Sequence, residues 1–315
     1  MPIARLSSRL RSILTAGAAL SALLVAPSAM AQAPSAPPAA VVAAPAGSGP
    51  ALWVVKDEDS TLYLFGTVHV LKPDTPWGTA RVDQAFASAD EYWFEIADLN
   101  NQDGVLPLIQ AKGISPDRPL SSLLTAEEMA DLDAAARTVG ASAAQLEPLR
   151  PWLASLQLAL ASITKAGYVP ANGGDQILHA RAAATGKPIK GFETAPQQIG
   201  FIADMSEDAQ LAMLRSSLKE FDQADAMLGR MVSAWATGDV DGLDALIGQE
   251  MKAESPEMYA VMLTRRNQAW ADRIQTLLAG SGTAFISVGA GHLAGADSLQ
   301  ARLAQRGIKA TRITD

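Results

Sequence analysis

The sequence predicts an α/β (α+β) domain with a mixed central β-sheet built from its N- and C-terminal segments, flanked by helices and carrying a large helical insertion over about 104–280. Three observations carry that expectation. Two short β-type apolar runs, Tyr63-Leu64-Phe65 and Phe285-Ile286-Ser287-Val288, each break at a glycine and deliver a histidine three residues later, in Gly66-Thr67-Val68-His69 and Gly289-Ala290-Gly291-His292. Such runs read as buried strands, and glycine lets the backbone turn sharply at the strand end. The first run belongs to a hairpin pattern and the second opens a strand-turn-helix-strand pattern, while the residues between them are alanine-rich with helical periodicity. For the two histidines to meet, the hairpin and the last unit must share a sheet, which makes the helical middle an insertion.

Taken in order, Leu52–Lys56 and Thr61–Phe65 flank the polar turn Asp57-Glu58-Asp59-Ser60. Residues 72–78 read as a rigid Pro/Gly-containing loop, followed by a helix over about 79–88 and a strand over 91–98 that is interrupted by Glu95. A carboxylate in so apolar a strand needs a partner, because burying it unpaired is costly. Thr125-Ala126-Glu127-Glu128 is a capping box for a helix to about Val139, and Pro151 opens a helix to Lys165. Gly173-Gly174-Asp175 leads into a helix through Ala184, and Lys187–Glu193 is a short strand ending in a second acid before the cap Thr194. A long helical segment runs from Ser206 to about Thr237, a shorter one to Gly248, and one starting at Ser255-Pro256 runs to about Leu278. The last unit is a strand over 283–288, the histidine turn, a helix over about 296–305 and a strand over 310–313, a pattern that predicts parallel pairing.

Residues 1–31 have the three parts of a secretory signal peptide: Arg5, Arg9 and Arg11, an apolar stretch from Ile13 to Val25, and Ala29-Met30-Ala31 as a cleavage site. The apolar run is shorter than the roughly 18 residues needed to span a bilayer. These features predict a periplasmic or secreted protein without stable membrane insertion. Residues 32–50, nearly all Ala, Pro, Ser, Gly and Val, predict a disordered tether, leaving 51–315 as the folded domain. Cleavage removes three of the 25 basic residues and no acid, leaving 22 against 33 acidic ones and a net charge of −11. That balance, with no basic stripe, excludes nucleic acid as a partner. The absence of cysteine excludes disulfides and thiol nucleophiles. No His-Glu-x-x-His helix, Gly-x-Ser-x-Gly elbow or phosphate-cradling loop occurs either.

His69 and His292 are two of only three histidines in the chain, and both fall at the strand ends where α/β sheets bind ligands. With Glu95 at a third strand end they could hold a metal ion with open positions, able to polarise a carbonyl and to acidify bound water. Either histidine could equally be an ordinary hydrogen-bonded core residue. Glu193 has two readings, a further ligand or general base and a carboxylate favoured by a helix N-terminus. Arg266 could stabilise an oxyanion or pair with one of these acids. Asp175 reads as a helix cap, and His179, within a helix and without the glycine turn, is left outside the site.

The hairpin ending in Gly66-Thr67-Val68-His69, the Glu95 strand, Gly186-Lys187-Pro188 to Glu193, Arg266-Asn267 with Trp270, and Val288-Gly289-Ala290-Gly291-His292-Leu293 together resemble the TraB/PrgY/GumN family over about Leu52 to the C-terminus. That family includes the animal Tiki proteins, metal-dependent proteases of secreted Wnt ligands, and lies near the erythromycin-esterase and ChaN-like folds. The resemblance implies a core of that type, with His69, Glu95 and His292 as metal ligands and Glu193 and Arg266 beside them. It implies an exported metal-dependent hydrolase, a peptidase using Mn²⁺, Co²⁺ or Zn²⁺ on a peptide or protein substrate. The alternative expectation is a non-catalytic periplasmic protein that binds a peptide or haem in the same cleft. Oligomeric state is not legible in the sequence.

Overall fold

The computed structural model describes residues 41–99 and 104–314. The expected signal peptide and the first part of the tether lie outside the described residues. Of the tether's remainder, Val42–Ala43 form β1, followed by the hairpin β2 (Leu52–Lys56) and β3 (Ser60–Thr67). Asp57 Oδ1 closes the hairpin turn by accepting from the backbone N–H groups of Asp59 and Ser60. β1 pairs in parallel with β4 (Pro76–Gly78), within the expected loop. Backbone hydrogen bonds, which leave no side-chain periodicity in the sequence, thus hold residues 41–44 on the domain.

Helix α1 (Ala80–Ser88) is capped by Thr79 and leads to β5 (Glu91–Ile96). The insertion supplies α2 (Val105–Gly113), α3 (Ala126–Thr138), α4 (Ala143–Leu146), α5 (Pro151–Lys165) and α6 (Gly174–Thr185). It then returns to the sheet as β6 (Ile189–Glu193), so it is not wholly helical. There follow α7 (Ala195–Ala203), α8 (Glu207–Glu220), α9 (Ala224–Thr237), α10 (240–254) and α11 (256–278). The long segment expected from Ser206 to Thr237 is divided by a 3₁₀ turn at Phe221–Gln223. The chain ends in β7 (Gly282–Gly289), α12 (Leu299–Ala304) and β8 (Thr311–Ile313).

The main sheet has six strands in the order β6-β5-β7-β3-β2-β8. β6, β5, β7 and β3 are mutually parallel, and β2 is antiparallel to both β3 and β8. The fold is therefore a mixed α/β sheet flanked by helices. The expected parallel pairing within the last unit takes a different form: β8 adds to β2, because both edges of β7 are taken by β3 and β5. The last helix begins at Leu299, not near 296, because Ser298 Oγ accepts from Ala301 N and fixes the start there.

Alternation along the strands assigns the layers. Leu62, Leu64, Trp93, Ile286 and Val288 pack with Trp270, Ile274, Leu299 and Leu303 of α11 and α12 on one face. Phe65, Tyr92, Phe94 and Phe285 pack on the other with Val82, Phe86, Ile177 and Leu178 of α1 and α6. Strands covered on both faces read as nearly continuous apolar runs, as β5 and β7 do.

Candidate functional site

Parallel β3, β5, β6 and β7 finish at one edge of the sheet, so the residues they deliver converge there. His69 follows β3, Glu95 lies near the end of β5, Glu193 ends β6 and His292 sits in the 3₁₀ turn Ala290–Leu293 after β7. Close approach of the two histidine turns depends on glycine, since a Cβ on Gly66 would lie 2.9 Å from Ala290 Cα. All five residues singled out in the sequence as candidate site residues belong to one buried cluster. His179 does not join it; its Nε2 contacts Ala97 O at 2.7 Å.

His69 Nδ1 lies 3.2 Å from Asp175 Oδ2. Asp175 stands in the first turn of α6, whose N-cap is Gly173, and its Oδ1 has no hydrogen-bond partner. The expected capping role is thus replaced by contact with a histidine. Backbone packing enforces it: Gly174 N donates to Val68 O at 2.9 Å, and a Cβ on Gly173 would collide with the carbonyl of His69 at 2.2 Å. Glu95 Oε1 accepts from Gly289 N at 2.7 Å. A Cβ on Gly289 would meet Glu95 Oε1 at 3.1 Å, His69 Nε2 at 3.6 Å and His292 Cδ2 at 3.6 Å, so this glycine keeps open the point where the three side chains converge. Thr67, His69, Glu95, Asp175, Ser287 and Gly289 contribute to the lining of a cavity of about 10 Å³ there, about the room one water molecule needs.

On the other side of Glu95, Arg266 acts as a hub. Its Nε donates to Glu193 Oε1 at 2.9 Å, and Nη2 donates to Glu95 Oε2 at 2.6 Å and Glu193 Oε2 at 2.8 Å. Nη1 donates to Met262 O at 3.2 Å and to His292 Nε2 at 3.0 Å. A guanidinium has five N–H donors, and every one is used. Arg266 is therefore an ion-pair partner in this arrangement, with no donor left for an oxyanion. Glu193 is likewise occupied, accepting also from Trp270 Nε1 and Gln198 Nε2, which leaves it placed as a counter-charge and not as a base. The π turn Ala260–Thr264 ends two residues before Arg266 and shifts the phase of α11, whose buried face carries Arg266, Asn267 and Trp270.

The two imidazoles are tuned in opposite directions. His292 is buried, which disfavours its charged form, and Arg266 adds repulsion; its pKa falls to about 3. Its Nδ1 lies 2.6 Å from Asn267 Oδ1, an acceptor, so the proton resides there and Nε2 accepts from Arg266. Burial also disfavours charge on His69, but attraction to Asp175, the hydrogen bond to it and the charge of Glu95 outweigh that and raise its pKa above the ordinary value. For Glu95, burial pushes upward, yet Arg266 and the histidines hold its pKa down at about 2.

Three polar residues of the site were not given roles by the sequence reading. Gln198 donates to both Glu95 and Glu193; its signal was a polar residue on the apolar stripe of Ala195, Ile199 and Ile202. Asn267 and Trp270 follow Arg266 on the buried face of α11. Among the described residues no three His, Asp or Glu side chains form a complete metal-ligand set. The chemistry of the donors still suits a divalent ion: three carboxylates, Glu95, Glu193 and Asp175, face one guanidinium, leaving two formal negative charges when both imidazoles are neutral. Asp175 Oδ1 and Ser287 Oγ, both buried at the cavity, have no hydrogen-bond partner. His69 and Glu95 would hold the ion, and His292 would join them through the Nε2 that now accepts from Arg266.

Fold and site together define an α/β domain that gathers a histidine-acid-arginine cluster at the carboxyl edge of its parallel strands. The chain belongs to the TraB/PrgY/gumN family, whose model matches residues 51–312. It is 24% identical over 253 residues to the Escherichia coli K12 protein named "Uncharacterized protein YbaP", covering 79% of this chain and 90% of that one. The Shigella flexneri protein of the same name has the same identity and coverage. No solved structure matches the chain.

Proposed function

We propose that this protein is an exported, metal-dependent hydrolase acting on peptides in the periplasm or outside the cell. The observation that carries the proposal is the convergence of His69 Nε2 and Glu95 Oε1 over Gly289, beside a cavity sized for one water. A divalent ion such as Mn²⁺, Co²⁺ or Zn²⁺ held there would acidify a bound water and polarise a substrate carbonyl. Asp175 fixes the His69 tautomer by accepting from Nδ1–H, leaving Nε2 as the donor atom, the usual service of a carboxylate behind a ligating histidine. Asn267 does the same for His292. Arg266 pairs with both Glu95 and Glu193, one guanidinium set between two adjacent carboxylates. The parallel strands ending in the histidine turns support reading the core as one of the erythromycin-esterase and ChaN-like type.

The test is metal content and peptide hydrolysis of the mature chain, purified without chelator or histidine tag. Stoichiometric metal in the wild type, lost with activity in His69→Ala and Glu95→Gln, is the expected result. A folded wild-type protein that binds no divalent ion would overturn the metal-dependent reading. Metal bound without hydrolysis of any peptide in a broad library would favour a non-catalytic binding protein.

A further inference from the structure

Beside the cluster, on the α11 side, lies a second and much larger cavity of about 570 Å³ between β6 and helices α7 and α11, within the usual range for a ligand pocket. Its walls include Phe192 of β6, Phe201 of α7 and Trp270 of α11, and its inner end is formed by Glu193 and Arg266 of the cluster. Arg265, Ala269 and Arg273 also line it. These three lie four residues apart, on one face of the helix, and the small Ala269 leaves a gap between two long cations.

Arg265 and Arg273 differ from most surface arginines of this chain. Arg118, Arg137, Arg181, Arg215, Arg302 and Arg306 each pair with a carboxylate. Among the described residues, Arg265 and Arg273 have no carboxylate within ion-pair distance, and both are exposed. Arg273 rests 4.9 Å from the Trp93 ring centroid, a contact that leaves its N–H donors unused. Of the charged residues lining the cavity three are arginines and one, Glu193, is an acid, which shares Arg266 with Glu95. In a protein with more acids than bases, this groove is thus locally cationic, walled by aromatics and ready for an anionic partner.

The cavity also borders an open sheet edge. Among the described residues, β6 is the outermost strand on its side and pairs only with β5, so its other backbone edge can receive an added strand. We propose that the groove binds an extended acidic peptide segment alongside β6, with Arg265 and Arg273 each pairing with a carboxylate and an apolar side chain between them seated over Ala269 against the aromatic walls. The spacing follows from geometry. Eight helical residues span about 12 Å at 1.5 Å each, and an extended chain covers that distance in about four residues at roughly 3.3 Å each. The recognised pattern is therefore acid, spacer, apolar residue, spacer, acid. That this peptide is the substrate rests on the hydrolase reading; that it binds does not.

The test measures fluorescence anisotropy of a fluorescein-labelled Glu-Ala-Phe-Ala-Glu amide with the full mature chain in EDTA, so that binding is scored without turnover. Saturable, salt-sensitive binding is expected, weakened at least tenfold in Arg265→Ala/Arg273→Ala and weakened for a peptide of the same composition with adjacent acids. A lysine-for-glutamate peptide should not bind. No saturable binding, equal binding by the double variant, or equal binding of the lysine peptide overturns the proposal. Binding that passes these controls while no peptide is cleaved in added Mn²⁺ or Co²⁺ would sink the hydrolase reading and leave the groove standing. Circular dichroism of the double variant checks that its fold is retained.

Discussion

The two Gly-x-x-His turns are alike in sequence and opposite in chemistry. His69 faces a carboxylate and its pKa is raised, while His292 faces a guanidinium and its pKa is held at about 3. Both rings are buried and both have one nitrogen fixed by a side chain from another element, Asp175 of α6 or Asn267 of α11. The turn motif places an imidazole at the sheet edge; the helix packed beside it decides what that imidazole can do. His69 is the responsive half and His292 the locked half.

The largest expected effect comes from removing what holds the halves apart. Arg266→Ala leaves Glu95 and Glu193 buried and adjacent without their cation, and should cost about 3–5 kcal/mol, the usual penalty for breaking a buried ion pair from one side. Urea denaturation measures the loss, and histidine NMR should show the His292 pKa rising toward 6.5. If it stays near 3, burial alone sets it and the contrast with His69 is not Arg266's doing. Asp175→Asn should lower the His69 pKa and weaken divalent-metal binding by about 10–100-fold, as loss of a supporting carboxylate does; calorimetric titration checks it.

Gly289→Ala places a methyl 3.1 Å from Glu95 Oε1, at the point where both halves meet. It should cost about 1–3 kcal/mol by overpacking and abolish metal binding, while circular dichroism shows the sheet intact. A smaller effect is the pH profile of metal-free stability. Below 6.5 the unfolded chain protonates His292 and the native one does not, so stability falls from 6.5 toward 3, and Glu95 adds a loss from 4.5 toward 2. His69 works the other way: its contribution is complete below 6.5 and is lost as pH rises through its elevated native value. Stability should peak near pH 6.5, and the alkaline decline should vanish in Asp175→Asn. The smallest effect belongs to His179→Ala, about 1 kcal/mol from one hydrogen bond, with metal binding unchanged.

The sheet and the two histidines were legible because each histidine leaves a mark on its own strand: an apolar run, a glycine, then an imidazole; Glu95 and Glu193 stood out as acids in or ending apolar strands. Asp175 was not legible, because a residue one place into a helix after Gly173-Gly174 carries the same local signature whether its side chain caps the helix or crosses to a histidine. The fates of Arg266 and Glu193 were also hidden, since donor counting needs all the partners at once. The π turn before Arg266 adds a single residue to a helical period, too little to register in the hydrophobic pattern of 256–278. β8's choice of β2 over β7 depended on edge occupancy elsewhere in the sheet.

The pairing of β3 with β7 also governs when the site can come into being. The bond from Thr67 Oγ1 to Val288 O joins residues 221 apart, and entropy must be surrendered to close so long a loop before any contact within it is gained. Nonlocal pairings of this kind slow folding. Until they form, β3 has one ladder of N–H and C=O groups without its partner, a template for aggregation. The cluster is therefore among the last parts of the molecule to be assembled, and a refolding chain should recover most of its helical signal well before it can bind metal.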